Sequence, residues 1–213
     1  MDIGDLRRDY NSQTGLSRKE MNPDPIMQFD HWFAQARQTE LKDPSAMSLA
    51  TADRHGIVTI RTVLLKIYDQ QGFVFFTNYE SKKARQIAEN PNVALLFPWL
   101  AQERQVKITG QAHRIPSSES LRYFLSRPRG SQLGAWVSAQ SSIISSRSLL
   151  MSKLEEIRQR FAEGEISLPE FWGGYRVKPS TIEFWQGQPD RLHDRFQYTR
   201  SADDNWEINR LAP

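Results

Sequence analysis

The 213-residue chain contains no cysteine. That excludes disulfides, thiolate nucleophiles and every cysteine-based zinc or iron–sulfur site in one step. Histidine is also scarce: His31, His55, His113 and His193 are scattered without ligand spacing, so no metal site is expected. The longest apolar stretch, VALLFPWLA from Val93, is far too short to cross a bilayer and is interrupted by Pro98. The opening MDIGDLRRDY carries acids and arginines without an apolar core, so it is not read as a signal peptide. The chain therefore reads as soluble, with no membrane partner and an expected cytoplasmic location. Charge of one sign is in short supply too: 28 Lys and Arg against 25 Asp and Glu leave a net +3. Nucleic-acid binders usually show a dense basic stripe, so this mild bias fits an acidic small molecule better. GxGxxG, P-loop, GxSxG and HExxH patterns are all missing, which leaves the common phosphate-loop, hydrolase and zincin readings without support.

Strand patterns dominate what is present. AMSLATA, IVTIRTVLLKIY, GFVFFTN, VALLFPW and RQVKITGQAHRI are rich in β-branched and aromatic residues and are separated by turn signals such as RHG and DQQG. GGYRVKPSTIEFWQ, RLHDRFQYTR and NWEINRL return to strand near the end. A helix starting at Pro25 would carry Ile26, Phe29, Trp32, Phe33 and Ala36 on one face. Further helices are expected over SKKARQIAEN, over SSESLRYFLSR up to Pro128, and from Arg147 to Phe161 with Leu150, Leu154, Ile157 and Phe161 buried. The expectation is an α+β, mainly β domain over 23–213: one barrel-like sheet with peripheral helices, preceded by a flexible arm over 1–22.

Several polar features are individually ordinary and suggestive together. Arg61 and Lys66 sit in the apolar run RTVLLK, where a buried cation needs a partner. Their parity differs, so a regular strand would point them to opposite faces; either the strand bulges or they serve different anions. Lys82 and Lys83 open a helix, against the macrodipole unless an anion binds there. Tyr123 and Arg127 lie one helical turn apart, with Ser131 beyond the Pro-Arg-Gly break; together they can hold a phosphate. Gln140-Ser141-Ser142 suits either a polar loop or a ligand clamp, and Trp172 and Trp185 are more often core or interface residues than stacking platforms. In RLHDRF, strand alternation would set Arg191, His193 and Arg195 on one face. Two guanidinium groups around an imidazole call for an anionic partner from outside that strand.

Taken in order, LRRDY, RTVLLK, FFTN-x-x-SKKA, ALLFPW, ERQV, YFLSRPR, SQLGAWVS-x-QSS, FWGGYRV, EFWQG, RLHDRF and INRLAP closely resemble the pyridoxine/pyridoxamine 5′-phosphate oxidase family, over nearly the whole chain. The resemblance implies an FMN-binding split β-barrel and a homodimer with FMN at the subunit interface. It implies oxidation of pyridoxine or pyridoxamine 5′-phosphate to pyridoxal 5′-phosphate, with O2 reduced to H2O2. FMN contacts carry over onto Arg61, Thr62, Val63, Leu64, Leu65 and Lys66, and onto Phe76, Thr77, Lys82 and Lys83. Gln105, Gln140, Ser141, Trp185 and Arg195 complete that set. Substrate contacts carry over onto Lys66, Tyr123, Arg127, Ser131, Arg191 and His193, and onto the arm through Arg7, Arg8, Asp9 and Tyr10. Arg191 and His193 would orient the substrate for hydride transfer from C4′ to flavin N5, with His193 or a water as candidate proton acceptor. Two positions depart from the family pattern: Lys82 stands where Arg is common, and Phe76 where Tyr is common. The rival readings are another flavin split-barrel enzyme and a non-catalytic FMN or pyridoxal-phosphate carrier. A basic nucleic-acid module is a third, and the spread of the charges argues against it.

Overall fold

The structure, a computed structural model, describes residues 3, 5, 9, 10, 15–137 and 139–213. Helix α1 (Pro25–Arg37) is capped by the Asp24 carboxylate, which accepts from the Ile26 N–H at 2.8 Å. β1 (Ala46–Ala52), β2 (Val58–Leu64), β3 (Ile67–Asp69) and β4 (Gly72–Asn78) precede α2 (Lys82–Glu89), and β5 (Asn92–Trp99) and β6 (Arg104–Arg114) follow it. Three helices come next: α3 (Ser117–Ser126), α4 (Arg129–Val137) and α5 (Arg147–Arg160). β7 (Trp172–Gln186), β8 (Asp194–Arg200) and β9 (Trp206–Arg210) complete the order.

Among the described residues the strands form one nine-stranded antiparallel sheet, ordered β2-β1-β5-β6-β7-β4-β3, with β8 pairing β7 and β9. The 15-residue β7 makes this possible. Its first part pairs with β4, its last part with β8, and β6 runs along nearly its whole length. The sheet thereby curls into a half-barrel, and the expected α+β architecture is what the chain adopts.

Alternation gives the sheet two unlike faces. Met47, Leu49, Leu95, Phe97, Val106, Ile108, Ile182, Phe184 and Phe196 point inward and are at most 1% exposed. α1 lays Ile26, Phe29, Trp32 and Ala36 onto that face, and Phe29 packs edge-on against Phe73 and Phe97 at centroid distances of 4.9 and 5.1 Å. The opposite face carries Ser48, Ala50, Ala94, Lys107, Thr109, Thr181 and Glu183, which line a groove of about 230 Å³. A second, smaller apolar cluster joins Phe124, Leu133, Ile166 and Trp172 beneath α3 to α5.

The sequence expectations are corrected at four places. The run 57–68 is two strands, because the chain breaks between Leu64 and Ile67; the Leu65 N–H goes to Ser45 O and the Lys66 N–H to Val74 O, both at 2.9 Å. Helix α4 was not expected, since Gly130 and Gly134 mask it. No residue of α5 is fully buried; its Leu154 and Ile157, and Phe161 just beyond its end, only lean on the smaller cluster. Finally, β8 begins at Asp194, so Arg191 and His193 lie before the strand that carries Arg195.

Candidate active site

The break after Leu64 brings Arg61 and Lys66 to one place despite their unequal parity. Both line a cleft of about 1020 Å³ between β2, β4, the start of α2 and the α3–α4 corner. Among the described residues, five of the lining side chains are cations, Arg61, Lys66, Lys82, Lys83 and Arg127, and none is Asp or Glu. The surroundings of three of these cations, Lys83, Arg61 and Arg127, are set by burial.

Lys83 is buried, with an exposure of 8%. Its ammonium donates to Gln140 Oε1 at 2.8 Å, Thr77 Oγ1 at 3.1 Å and Ser81 Oγ at 3.4 Å, all neutral oxygens. Burial, and then the neighbouring Arg61, pull its pKa down to about 8. Arg61 is fixed by Leu49 O at 3.0 Å, Thr51 Oγ1 at 2.7 Å and Thr59 Oγ1. The two threonine hydroxyls in turn donate to Gln86 Oε1 at 2.6 Å, a buried side chain of α2. Burial lowers the Arg61 pKa as well.

At the other end, Phe76, Tyr123 and Trp172 are stacked; the Phe76–Tyr123 centroids are 3.9 Å apart and the Phe76–Trp172 centroids 5.4 Å. The Arg127 guanidinium lies 4.7 Å over the Trp172 ring, and its buried Nη1 has no hydrogen-bond partner among the described residues. A buried charged donor without an acceptor is costly, about 1–3 kcal/mol or more, so this atom is poised for an anion. Ser131, in the first turn of α4, and Lys66 share the same cleft.

Of the expected site residues, Thr62, Val63, Leu64, Phe76, Thr77, Lys82, Gln140, Tyr123 and Ser131 join this cleft, as does Ser141 with its left-handed φ of 73°. Leu65 does not: it is 4% exposed and turned into the main core. A second group stands apart. Gln105, Trp185 and Arg195 are aligned by register in one row across β6, β7 and β8. Trp185 supports the His193 ring at 4.7 Å, and Tyr10 packs edge-on to both, at 5.5 and 5.3 Å. Gly187 makes room for Tyr10, since a Cβ there would meet the ring at 2.6 Å. Asp9 is exposed, and Arg7 and Arg8 lie outside the described residues.

Arg191 is exposed at the end of a one-turn 3-10 segment, where Asp190 and Arg191 have left-handed φ values of 54° and 61°. Such backbone is uncommon for residues other than Gly and concentrates at ligand sites. His193 Nδ1 accepts the Gln188 N–H at 3.1 Å. In the neutral ring the proton is therefore on Nε2. Arg195 meets a carboxylate after all: Glu183 of β7, at 2.8 Å. Glu183, Gln86 and Trp172 were missed or discounted in the sequence. An acidic residue inside the apolar strand IEFW, and a Gln between Lys83 and Ile87 on a buried helix face, were the available signals.

Profiles of known families match both parts of the chain. Residues 33–161 match the pyridoxamine 5′-phosphate oxidase profile, and residues 172–213 match the pyridoxine 5′-phosphate oxidase C-terminal dimerisation region. The pyridoxine/pyridoxamine 5′-phosphate oxidase of Rippkaea orientalis is 63% identical over the full length of both chains. The chain belongs to this oxidase family. The corresponding oxidase of Crocosphaera subtropica is 61% identical, again over the full length of both. Among solved structures, PhzG from Burkholderia lata, in complex with tetrahydrophenazine-1-carboxylic acid, superposes with a TM-score of 0.86 at 28% identity, covering 92% of this chain and 95% of that one. An FMN-binding, pyridoxamine 5′-phosphate oxidase-related protein from Nostoc punctiforme shares the fold at TM-score 0.71 and 15% identity, covering 91% of this chain and 100% of that one. The oxidase family is flavin-binding. Every residue of the second group except Tyr10 and Gln105 falls within the dimerisation region.

Proposed function

We propose that the protein oxidises pyridoxine and pyridoxamine 5′-phosphates to pyridoxal 5′-phosphate, using FMN as its flavin and O2 as electron acceptor, at a site completed by a second copy of the chain. The observation that carries this reading is the cleft with five cations and no carboxylate. Two phosphorylated ligands would supply the missing negative charge, one at Arg61, Lys82 and Lys83 and one at Lys66, Arg127, Tyr123 and Ser131. The fit is chemical as well as electrostatic. Lys83 already offers its ammonium among neutral oxygens, and Arg127 Nη1 lacks an acceptor among the described residues.

When bound, the flavin supplies two-electron redox chemistry that no side chain here can provide, and O2 drains it. The chain positions and binds. The phosphate handle fixes the substrate away from its reacting carbon, so that binding energy becomes orientation. Lys82 gives a point charge where an Arg would give a planar fork. Phe76 contributes its ring to a three-ring cluster with Tyr123 and Trp172, and no hydroxyl is needed for those contacts.

The second group would face the flavin of the partner. Arg191, held in its left-handed turn, orients the substrate. His193, with Nδ1 occupied by the Gln188 N–H, offers Nε2–H as a donor. It thus orients the substrate oxygen or nitrogen, and the departing proton goes to water. Tyr10 covers the His193 and Trp185 rings. Arg195 places positive charge where the reduced flavin would carry negative charge.

The test is an anaerobic mixing experiment. The yellow protein should bleach with pyridoxine or pyridoxamine 5′-phosphate but not with unphosphorylated pyridoxine, and air should restore the colour with release of peroxide. A yellow protein that never bleaches would mark a carrier; one that cannot take up FMN would overturn the flavin reading.

A further inference from the structure

We propose that Glu183 and the main-chain carbonyl of Ala212 are positioning groups that fix the Arg195 guanidinium so that one nitrogen, Nη2, is presented to the bound flavin. This rests on the reading above that Arg195 faces FMN. Arg195 Nε donates to Glu183 Oε1 at 2.8 Å, and Nη1 donates to Ala212 O at 2.7 Å. Among the described residues Nη2 is left without a partner. The clamp is closed through the main chain too, since the Leu211 N–H donates to Arg195 O at 2.9 Å.

Register explains why the contact forms. Glu183 lies opposite Gln197 and Trp185 opposite Arg195, so Glu183 and Arg195 are diagonal neighbours on one face. The Glu183 side chain is 4% exposed, against 25% for Arg195. On the other side Glu183 Oε2 meets Lys107 Nζ at 2.7 Å, so two cations share one carboxylate and the cluster keeps one net positive charge. That is the arrangement a presenting cation requires: Glu183 holds Arg195 without cancelling it, because Lys107 takes the second oxygen. Burial pushes the Glu183 carboxyl upward, but the hydrogen bonds from Arg195 and Lys107 outweigh it and keep the group below the ordinary glutamate range. For stability alone, apolar side chains would serve a buried strand position as well or better.

The test measures the rate at which FMN leaves the holoprotein on dilution, read as the rise of flavin fluorescence. The proteins are the native chain, Glu183→Gln, Arg195→Ala and the double variant. Loss of one charge-assisted bond should speed release roughly tenfold in Glu183→Gln. In the Arg195→Ala background the same change should add nothing, because Glu183 acts only through Arg195. A chain lacking Ala212 and Pro213 should behave likewise, and it leaves every strand intact should Glu183→Gln fold poorly. Native release from both the Glu183→Gln and truncated proteins, or full additivity in the double variant, would overturn the positioning proposal. Native release from Arg195→Ala would instead overturn the placing of Arg195 at the flavin, and the positioning proposal with it.

Discussion

A buried ammonium with three neutral acceptors is the most informative single residue of the molecule. Lys83, with its pKa drawn down to about 8 by burial and by Arg61, would be driven back up by a bound phosphate. FMN affinity should therefore fall as the pH rises past about 8, where binding has to take up a proton. The inflection should disappear in Lys83→Met when dissociation constants are measured across that range. An inflection that survives the substitution would assign it to another group. The ligand-free protein should respond in the opposite sense: with the folded pKa below the unfolded value of about 10.5, this residue's penalty is relieved as pH rises from about 8 toward 10.5. Arg127 gives a second prediction. Arg127→Met removes a buried Nη1 that has no acceptor among the described residues, so thermal stability without ligand should hold or rise. KM for the phosphorylated substrate should increase roughly 10- to 100-fold, the equivalent of about 1.5–3 kcal/mol for a charged hydrogen bond.

At the scale of elements, the decisive devices are interruptions. The sequence pattern located most strands and four of the five helices, because alternation and amphipathic spacing are local signals. It could not place the break after Leu64 that reconciles Arg61 with Lys66, since that break is set by hydrogen bonds to Ser45 and Val74, remote in sequence. Nor could it end the strand reading of RLHDRF at Asp194, because the left-handed pair Asp190 and Arg191 contains no glycine to announce it. The residues of the cleft were named through family resemblance; composition and spacing alone left each of them ambiguous. Glu183 and Gln86 escaped because their partners come from other strands and helices. The β6–β7 irregularity between Thr109 and Gly110 is another such device. A Cβ on Gly110 would stand 2.1 Å from Lys178 O and 2.9 Å from Pro179 Cα. Gly110→Ala should lower stability by about 3 kcal/mol, read as a clear fall in Tm; an unchanged Tm would mean that the bend of β7 does not depend on this close approach.

On the reading proposed above, the site has two parts that stand apart in one chain. None of Tyr10, Trp185, Arg191, His193 and Arg195 lines the cationic cleft. Between the two parts, the outer face of the sheet presents small residues, and Ile60 borders both the groove on that face and the cleft. The second copy proposed above is expected on this face, with each cleft meeting the other chain's Trp185 row. Ala94→Arg, which places a long cation on the groove, should yield a folded monomer that no longer retains flavin. Size and colour measured together would show it, and a yellow monomer would contradict the shared site.

The most direct measurement is complementation between two inactive proteins. Arg127→Ala damages only the cleft, and His193→Ala only the second group. Co-expressed and randomly paired, half the dimers would be mixed, each holding one site with both defects and one with none, so about a quarter of native turnover should return. Turnover that stays at the level of the two parents would mean that each site is built within a single chain, and the account of a shared active site would be wrong.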